Sequence, residues 1–332
     1  MAKKPLSDGG AYFGPQREAE FFGSGCTLLD CVLGGGYSLG HIVNIVGDKS
    51  TGKTLLAIEA SANFAQKYDG PITYNESEAA FDERYAALLG LPTKRLRLVR
   101  NCSTVEDVFE DMQRVIDKQP KGKPGLYILD SLDALSDRAE LKRNLDEGSY
   151  GMEKPKLMSR LFRQLVQQLA SCRITVIIVS QVRSAIGVKF GRKTTRSGGR
   201  ALDFYASQII YLAQKGALSR TARGQKRATG IVIKVKCDKS KVGLPFRDCE
   251  FPILFGFGID DVAASLDWLG EVKGFAEAGL TAKSASALYE GLDKMDAATY
   301  AEWRNKLGSV VRSVWWDLEK EFMPKRLKYG EV

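Results

Sequence analysis

The chain has a single histidine, His41, in 332 residues. That excludes multi-histidine metal sites and counts against a Ser/His/Asp triad. Cysteine is sparse too. The six residues at 26, 31, 102, 172, 237 and 249 include no C-x-x-C pair, so a zinc ribbon has no support. Scattered thiols in a chain this long read as reduced, which points to the cytoplasm. No run approaches the roughly 18 uncharged apolar residues of a membrane span. The opening MAKKPLSDGGAYF lacks the apolar core of a secretory signal. Internal repeats and low-complexity tracts are missing as well. What remains is an ordinary globular composition, 44% hydrophobic and 27% charged, with length for about two domains.

Acidic residues are nearly missing from one stretch. Between positions 183 and 247, sixteen Lys or Arg face only Asp203 and Asp238, a local charge of +14 in a chain of net +9. The rest of the chain therefore sums to −5. A basic island in an otherwise acidic protein implies a polyanionic partner, nucleic acid first. The plainer reading is a solvated surface kept soluble by lysines.

Apolar runs at 41–46 (HIVNIV), 72–75, 126–129 (LYIL) and 174–179 (ITVIIV) read as buried strands, with further strands at 208–212 and 231–235. Helical spacing marks the segment after position 54, then 105–117 and 158–170. Strands alternating with helices predict an α/β fold, a mostly parallel sheet flanked by helices with its ligand crevice at the strands' carboxyl ends. Residues 1–21 read as an arm and 22–265 as the core. From about 266 the sequence turns helix-rich and aromatic (Trp268, Tyr300, Trp303, Trp315, Trp316), which we read as a small C-terminal domain.

One motif carries most of the chemistry. Gly47-Asp48-Lys49-Ser50-Thr51-Gly52-Lys53-Thr54 fits G-x-x-x-x-G-K-[ST] in full, between a strand and a helix. Glycines there let backbone N–H groups wrap phosphates at a helix N-terminus. Lys53 would reach the β and γ phosphates of a nucleotide, and Thr54 would ligate Mg²⁺. Asp130, ending LYILD, is the second expected Mg²⁺ partner. Hydrolysis also needs a carboxylate to orient water. Glu76 and Glu78 both end the second strand, and period-2 alternation puts them on one face without choosing between them. Gln181, at the tip of ITVIIVSQ, is placed to contact the γ phosphate.

In this order the pieces resemble RecA-type recombinases, over about positions 21–266. GSGCTLLDCVLGGGYSLGHIVNIVGDKSTGKT resembles their lead-in and P-loop, and LYILDSLDAL the Asp-bearing strand. ESEAAFDERYAALLGL resembles the segment with the catalytic glutamate. The resemblance implies that Glu78 activates water, with Asp82 and Tyr85 beside the adenine. VSQVRSAIGVKFGRKTTRSGGRALDFYAS resembles the second DNA-binding loop almost throughout, and DEGSYGMEKPKLMSRLFRQL is nearer to the phage recombinase UvsX.

The implied activity is that of a DNA-dependent ATPase recombinase of homologous recombination and DNA repair, acting in a host cytoplasm if phage-encoded. It would polymerise on single-stranded DNA into a helical filament, pair it with homologous duplex DNA and exchange strands. ATP would sit between protomers, with Lys239 and Lys241 reaching the neighbour's γ phosphate. A first DNA loop at 146–156 would carry Tyr150, Gly151 and Met152. A second at 186–200 would carry Ile186, Gly187, Val188, Lys189, Phe190, Thr194, Thr195, Arg196, Ser197, Gly198, Gly199 and Arg200. Arg183, Ser159 and Arg163 would touch DNA as well, and Lys234 and Lys236 would form a secondary duplex site. Tyr12-Phe13 is a candidate docking anchor for the next protomer. A single-strand-binding protein or loader is a further expected partner. The rival readings are a hexameric DNA motor with the same core, or a mediator that binds ATP and DNA without exchange.

Overall fold

The computed structural model describes residues 19–78, 81–142, 153–184, 194–196, 199–324 and 326. In chain order, β1 (Phe21–Phe22) precedes α1 (Thr27–Leu33) and β2 (Tyr37–Ser38). Strand β3 (Ile42–Gly47) leads into α2 (Lys53–Lys67), followed by β4 (Ile72–Glu76), α3 (Glu83–Leu88) and β5 (Leu96–Val99). Next come α4 (Val105–Asp117), β6 (Gly125–Asp130), α5 (Arg138–Lys142), α6 (Glu153–Cys172) and β7 (Ile174–Ser184). The chain continues with β8 (Thr194–Arg196), α7 (Gly199–Tyr205), β9 (Gln208–Ala222), β10 (Gln225–Ser240), β11 (Asp248–Leu254) and β12 (Gly258–Ile259). Helices α8 (Asp261–Glu271), α9 (Ala282–Gly291) and α10 (Ala297–Phe322) close it.

Nine strands form one sheet in the order β12-β11-β10-β9-β3-β7-β6-β4-β5, and β8 pairs with β7 off that path. The six strands from β9 to β5 run parallel, and β10 to β12 extend the sheet antiparallel. The central strands read as continuous apolar runs because both faces are covered. Alternation along them sorts side chains between two cores. Val43, Ile45, Ile177 and Val179 meet α1 and α2 on one face. Ile42, Val46, Val176 and Ile178 meet α4 and α6 on the other.

Helix α4 occupies the expected 105–117 because its ends are written locally. Thr104 Oγ1 accepts from the Asp107 N–H at 3.1 Å while the Asp107 carboxylate accepts from the Thr104 N–H at 3.1 Å, a reciprocal cap. Leu307, Val311 and Trp315 of α10 share the core cluster of α1, so the C-terminal helices close over that face. No described helix is long and apolar enough to cross a membrane.

Two expectations need correction. The strands expected at 208–212 and 231–235 are the base of a hairpin whose arms run 15 and 16 residues. Its outer part alternates no apolar residues, so no period marked it. Strand β4 ends at Glu76, so the alternation that would put Glu76 and Glu78 on one face does not reach Glu78.

Candidate functional site

Strand β3 sits between β9 and β7, and the glycine-rich loop joins its carboxyl end to α2. Two of the loop's glycines are sterically required. A Cβ on Gly47 would lie 2.6 Å from Thr51 Oγ1, and one on Gly52 would lie 2.7 Å from Ile253 Cδ1, at a φ of +81°. Thr51 Oγ1 donates to the Asp48 carbonyl at 2.9 Å, and the Lys49 N–H donates to Asp48 Oδ1 at 2.7 Å. Ser50 takes a left-handed φ of 57°. No side chain caps α2, so its first-turn N–H groups remain available to an anion.

Lys53 opens α2, and its Nζ donates to the Asp48 carbonyl at 2.6 Å, arching over the loop. Burial lowers its ammonium pKa, opposed by the negative field of Asp130, Glu78, Asp48 and Asp133. Asp130 ends β6, across β7 from the loop. Its side chain is buried and accepts from the Tyr74 hydroxyl at 2.8 Å and from Thr54. Burial raises its carboxyl pKa, partly offset by those hydrogen bonds. A carboxylate and a hydroxyl meeting at a strand end are hard oxygen donors, a set that fits Mg²⁺.

Glu76 and Glu78 part company here. Glu76 is buried, 3.9 Å from Arg100, and accepts from the Glu78 N–H at 3.0 Å. Glu78 lies on the cleft side, where the Ser131 hydroxyl donates to its carboxylate. Asp82 caps α3, accepting from the Arg84 and Tyr85 N–H groups at 2.8 and 3.2 Å. The Gln181 N–H donates to Asp133 Oδ2 at 2.6 Å, fixing the backbone of β7 beside β6.

These residues meet in one cleft of about 580 Å³, lined by 49–54 with Glu78, Asp82, Tyr85, Asp130 and Gln181. Gly47 ends β3 and Asp48 opens the loop, outside the cleft lining. Sequence reasoning missed the cleft's apolar wall. Ile231 of β10 and Ile253 and Phe255 at the end of β11 join Leu55, Ile58 and Val179 there. The antiparallel extension of the sheet brings them in, and no local motif announces it.

Other expected residues lie elsewhere. Lys239 Nζ donates to the Asp203 and Phe204 carbonyls at the end of α7, and Lys241 Nζ donates to the Phe204 carbonyl at 3.3 Å. Both stand outside the chain's own cleft. Lys234 pairs with Asp248 at 3.2 Å and Glu250 at 3.7 Å on β11, while Lys236 is exposed. Arg163 reaches the Tyr205 hydroxyl from α6, one turn beyond Ser159. Arg183 pairs with Thr195 in the β7–β8 ladder, with Arg196 and Thr194 at the flanking rungs, and Gly199 and Arg200 open α7. Tyr12, Phe13, Tyr150, Gly151, Met152, Ile186, Gly187, Val188, Lys189, Phe190, Ser197 and Gly198 lie outside the described residues.

Fold and site together define the class. This is an α/β protein with a RecA-like core, its mostly parallel sheet carrying a glycine-rich loop at the strands' carboxyl edge. A family model for the RecA N-terminal domain matches residues 12–260. Protein RecA of a Picosynechococcus strain is 35% identical over 292 residues, 87% of this chain and 80% of that protein. Protein RecA of Bacteroides thetaiotaomicron is 36% identical over 270 residues, 81% and 77% of the two chains. The chain belongs to the RecA family, and it is a recombinase of homologous recombination and repair.

Proposed function

We propose that the chain is a DNA-dependent, Mg²⁺-requiring P-loop ATPase that polymerises on single-stranded DNA and exchanges strands with homologous duplex DNA. The observation that carries the ATPase reading is the cleft itself, where the ends of β3, β4, β6 and β7 bring Lys53, Glu78, Asp130 and Gln181 together around an uncapped helix N-terminus.

In this reading the N–H groups of α2's first turn and Lys53 hold the β and γ phosphates, and Tyr85 with the Ile231, Ile253 and Phe255 wall shields the base. Thr54 and Asp130 hold Mg²⁺, which when bound neutralises charge on the phosphates. Glu78 orients the attacking water and takes its proton, with the Ser131 hydroxyl keeping that carboxylate aimed. Gln181, on β7, stands between the γ phosphate and the second DNA loop that β7 leads into, so it relays nucleotide state to DNA. Lys239 and Lys241, outside their own cleft, serve the neighbouring protomer's nucleotide as cations that stabilise charge developing on the phosphoryl group.

Electron microscopy with ATP and single-stranded DNA tests the assembly. Helical filaments support the reading, and closed rings would favour a hexameric motor.

A further inference from the structure

After Asp130, residues 131–135 form a tight turn with a 3₁₀ step at Leu132–Ala134. Leu132 and Leu135 are both buried, in the core shared with α4 and α6. Packed side chains at both ends leave the turn little room to bend, so a displacement at one side passes to the other. Its polar groups reach three other segments of the chain.

On one side the turn holds the end of β4. The Ser77 N–H donates to the Asp130 carbonyl at 2.8 Å, and the Ser77 hydroxyl donates to the Ser131 carbonyl at 2.8 Å. The Ser131 hydroxyl then donates to the Glu78 carboxylate. On the other side the turn holds β7 and α6. Half-buried Asp133 accepts from the Gln181 N–H at 2.6 Å. Half-buried Lys154 donates from Nζ to the Leu132 carbonyl at 3.1 Å and to the Leu135 carbonyl. Lys154 lies in the first turn of α6, at the exit of segment 146–156, and β7 runs on toward 186–200. The two segments expected to hold DNA are therefore rooted on the turn that aims Glu78.

The ties from Asp133 and Lys154 are charge-assisted, the stronger kind of hydrogen bond. Neither residue lines the nucleotide cleft, so contact with the nucleotide does not explain them. We infer that Asp133 and Lys154 are positioning residues for hydrolysis, fastening the roots of both DNA loops to the 131–135 turn and so, through Ser131, setting the aim of Glu78. DNA that shifts either root then shifts the carboxylate that orients water. The inference rests on the reading of this chain as a DNA-dependent ATPase.

The test is steady-state ATP hydrolysis by the full chain at rising concentrations of single-stranded DNA. Asp133→Ala and Lys154→Met should each keep the DNA-free rate within about twofold of wild type and lower the rate at saturating DNA about tenfold, the scale of one lost charge-assisted bond. Asp133→Asn keeps an acceptor and Lys154→Arg keeps a donor, so each should restore most of the stimulation. By reciprocity, ATP should tighten DNA binding less in the Ala and Met variants, while nucleotide-free affinity stays at the wild-type value. A loss of packing alone would not produce that split.

Unchanged stimulation in Asp133→Ala and Lys154→Met overturns the inference. So does Asp133→Asn failing as badly as Asp133→Ala, because Asp133 also adds to the negative field at Lys53 and the lost charge would then be the cause. Weaker nucleotide-free DNA binding by Lys154→Met, with a log–log salt slope flatter by about 0.7, would make Lys154 a phosphate contact instead. Wild-type hydrolysis indifferent to DNA would overturn the DNA-dependent reading and the inference with it. Normal wild-type stimulation with unchanged variants overturns the inference alone.

Discussion

The backbone N–H of Glu78 donates to the carboxylate of Glu76 at 3.0 Å, so two glutamates one residue apart are bound together yet face different surroundings. Glu76 is buried beside Arg100, and Glu78 borders the cleft. Glu76 thus positions the turn that presents Glu78. Glu76→Ala should cost about 1 kcal/mol of stability, from loss of the acceptor for the part-buried Glu78 N–H. A denaturant midpoint unchanged from wild type would contradict that role.

Lys53 arches over the glycine-rich loop through its bond to the Asp48 carbonyl. Lys53→Ala should leave the fold intact and remove the rise in melting temperature that ATP with Mg²⁺ produces. That rise is worth about 2.7 kcal/mol in the wild type at a hundredfold excess over Kd. Thermal scans with and without nucleotide check it, and an equal rise in both proteins would exclude Lys53 from the phosphate site.

Glu59 on α2 accepts from the Ile259 N–H at 3.2 Å, and burial pushes its carboxyl from 4.5 up to about 7. Asp30 on α1, half-buried, is pushed by loss of water from 3.8 up to about 7. Each binds its proton more tightly folded than unfolded. Their contribution to stability is therefore complete below the unfolded values and is lost as pH rises to about 7. Glu59→Gln, which keeps an acceptor for Ile259, should flatten part of that decline in urea midpoints taken from about pH 4.5 to 7.5. Parallel profiles for wild type and variant would contradict the assignment.

Asp261 ties the C-terminal helices to the core. Its carboxylate accepts from the Thr27 N–H at 2.6 Å, the Thr27 hydroxyl at 2.8 Å and Arg304 Nε at 3.3 Å. Asp261→Ala leaves the buried Thr27 N–H and hydroxyl without their acceptor and should cost about 1–3 kcal/mol. Calorimetry that finds less than about 1 kcal/mol would show this junction to be dispensable.

How much was legible in the sequence depended on whether the signal was local. The glycine-rich loop, the four core strands and α4 announce themselves because each is written in consecutive residues by apolar runs, glycines and caps. Glu76 against Glu78 could not be resolved, since the choice turns on where β4 stops, and β6 decides that by accepting the Ser77 N–H at the Asp130 carbonyl. The wall of Ile231, Ile253 and Phe255 was invisible because it depends on strand order, which no local pattern encodes. The outer part of the β9–β10 hairpin escaped for the opposite reason: both its faces meet water, so its strands carry no period to read.

In the proposed reading, Glu78, aimed by Ser131 into the loop's cleft, drives hydrolysis that DNA switches on. The most direct measurement is steady-state ATP hydrolysis with and without single-stranded DNA, on wild type and Glu78→Gln together. The account predicts strong stimulation by DNA in the wild type and a loss of roughly 10²- to 10⁴-fold in the variant, with nucleotide binding retained. Hydrolysis indifferent to DNA, or a variant that hydrolyses ATP at the wild-type rate, would contradict it.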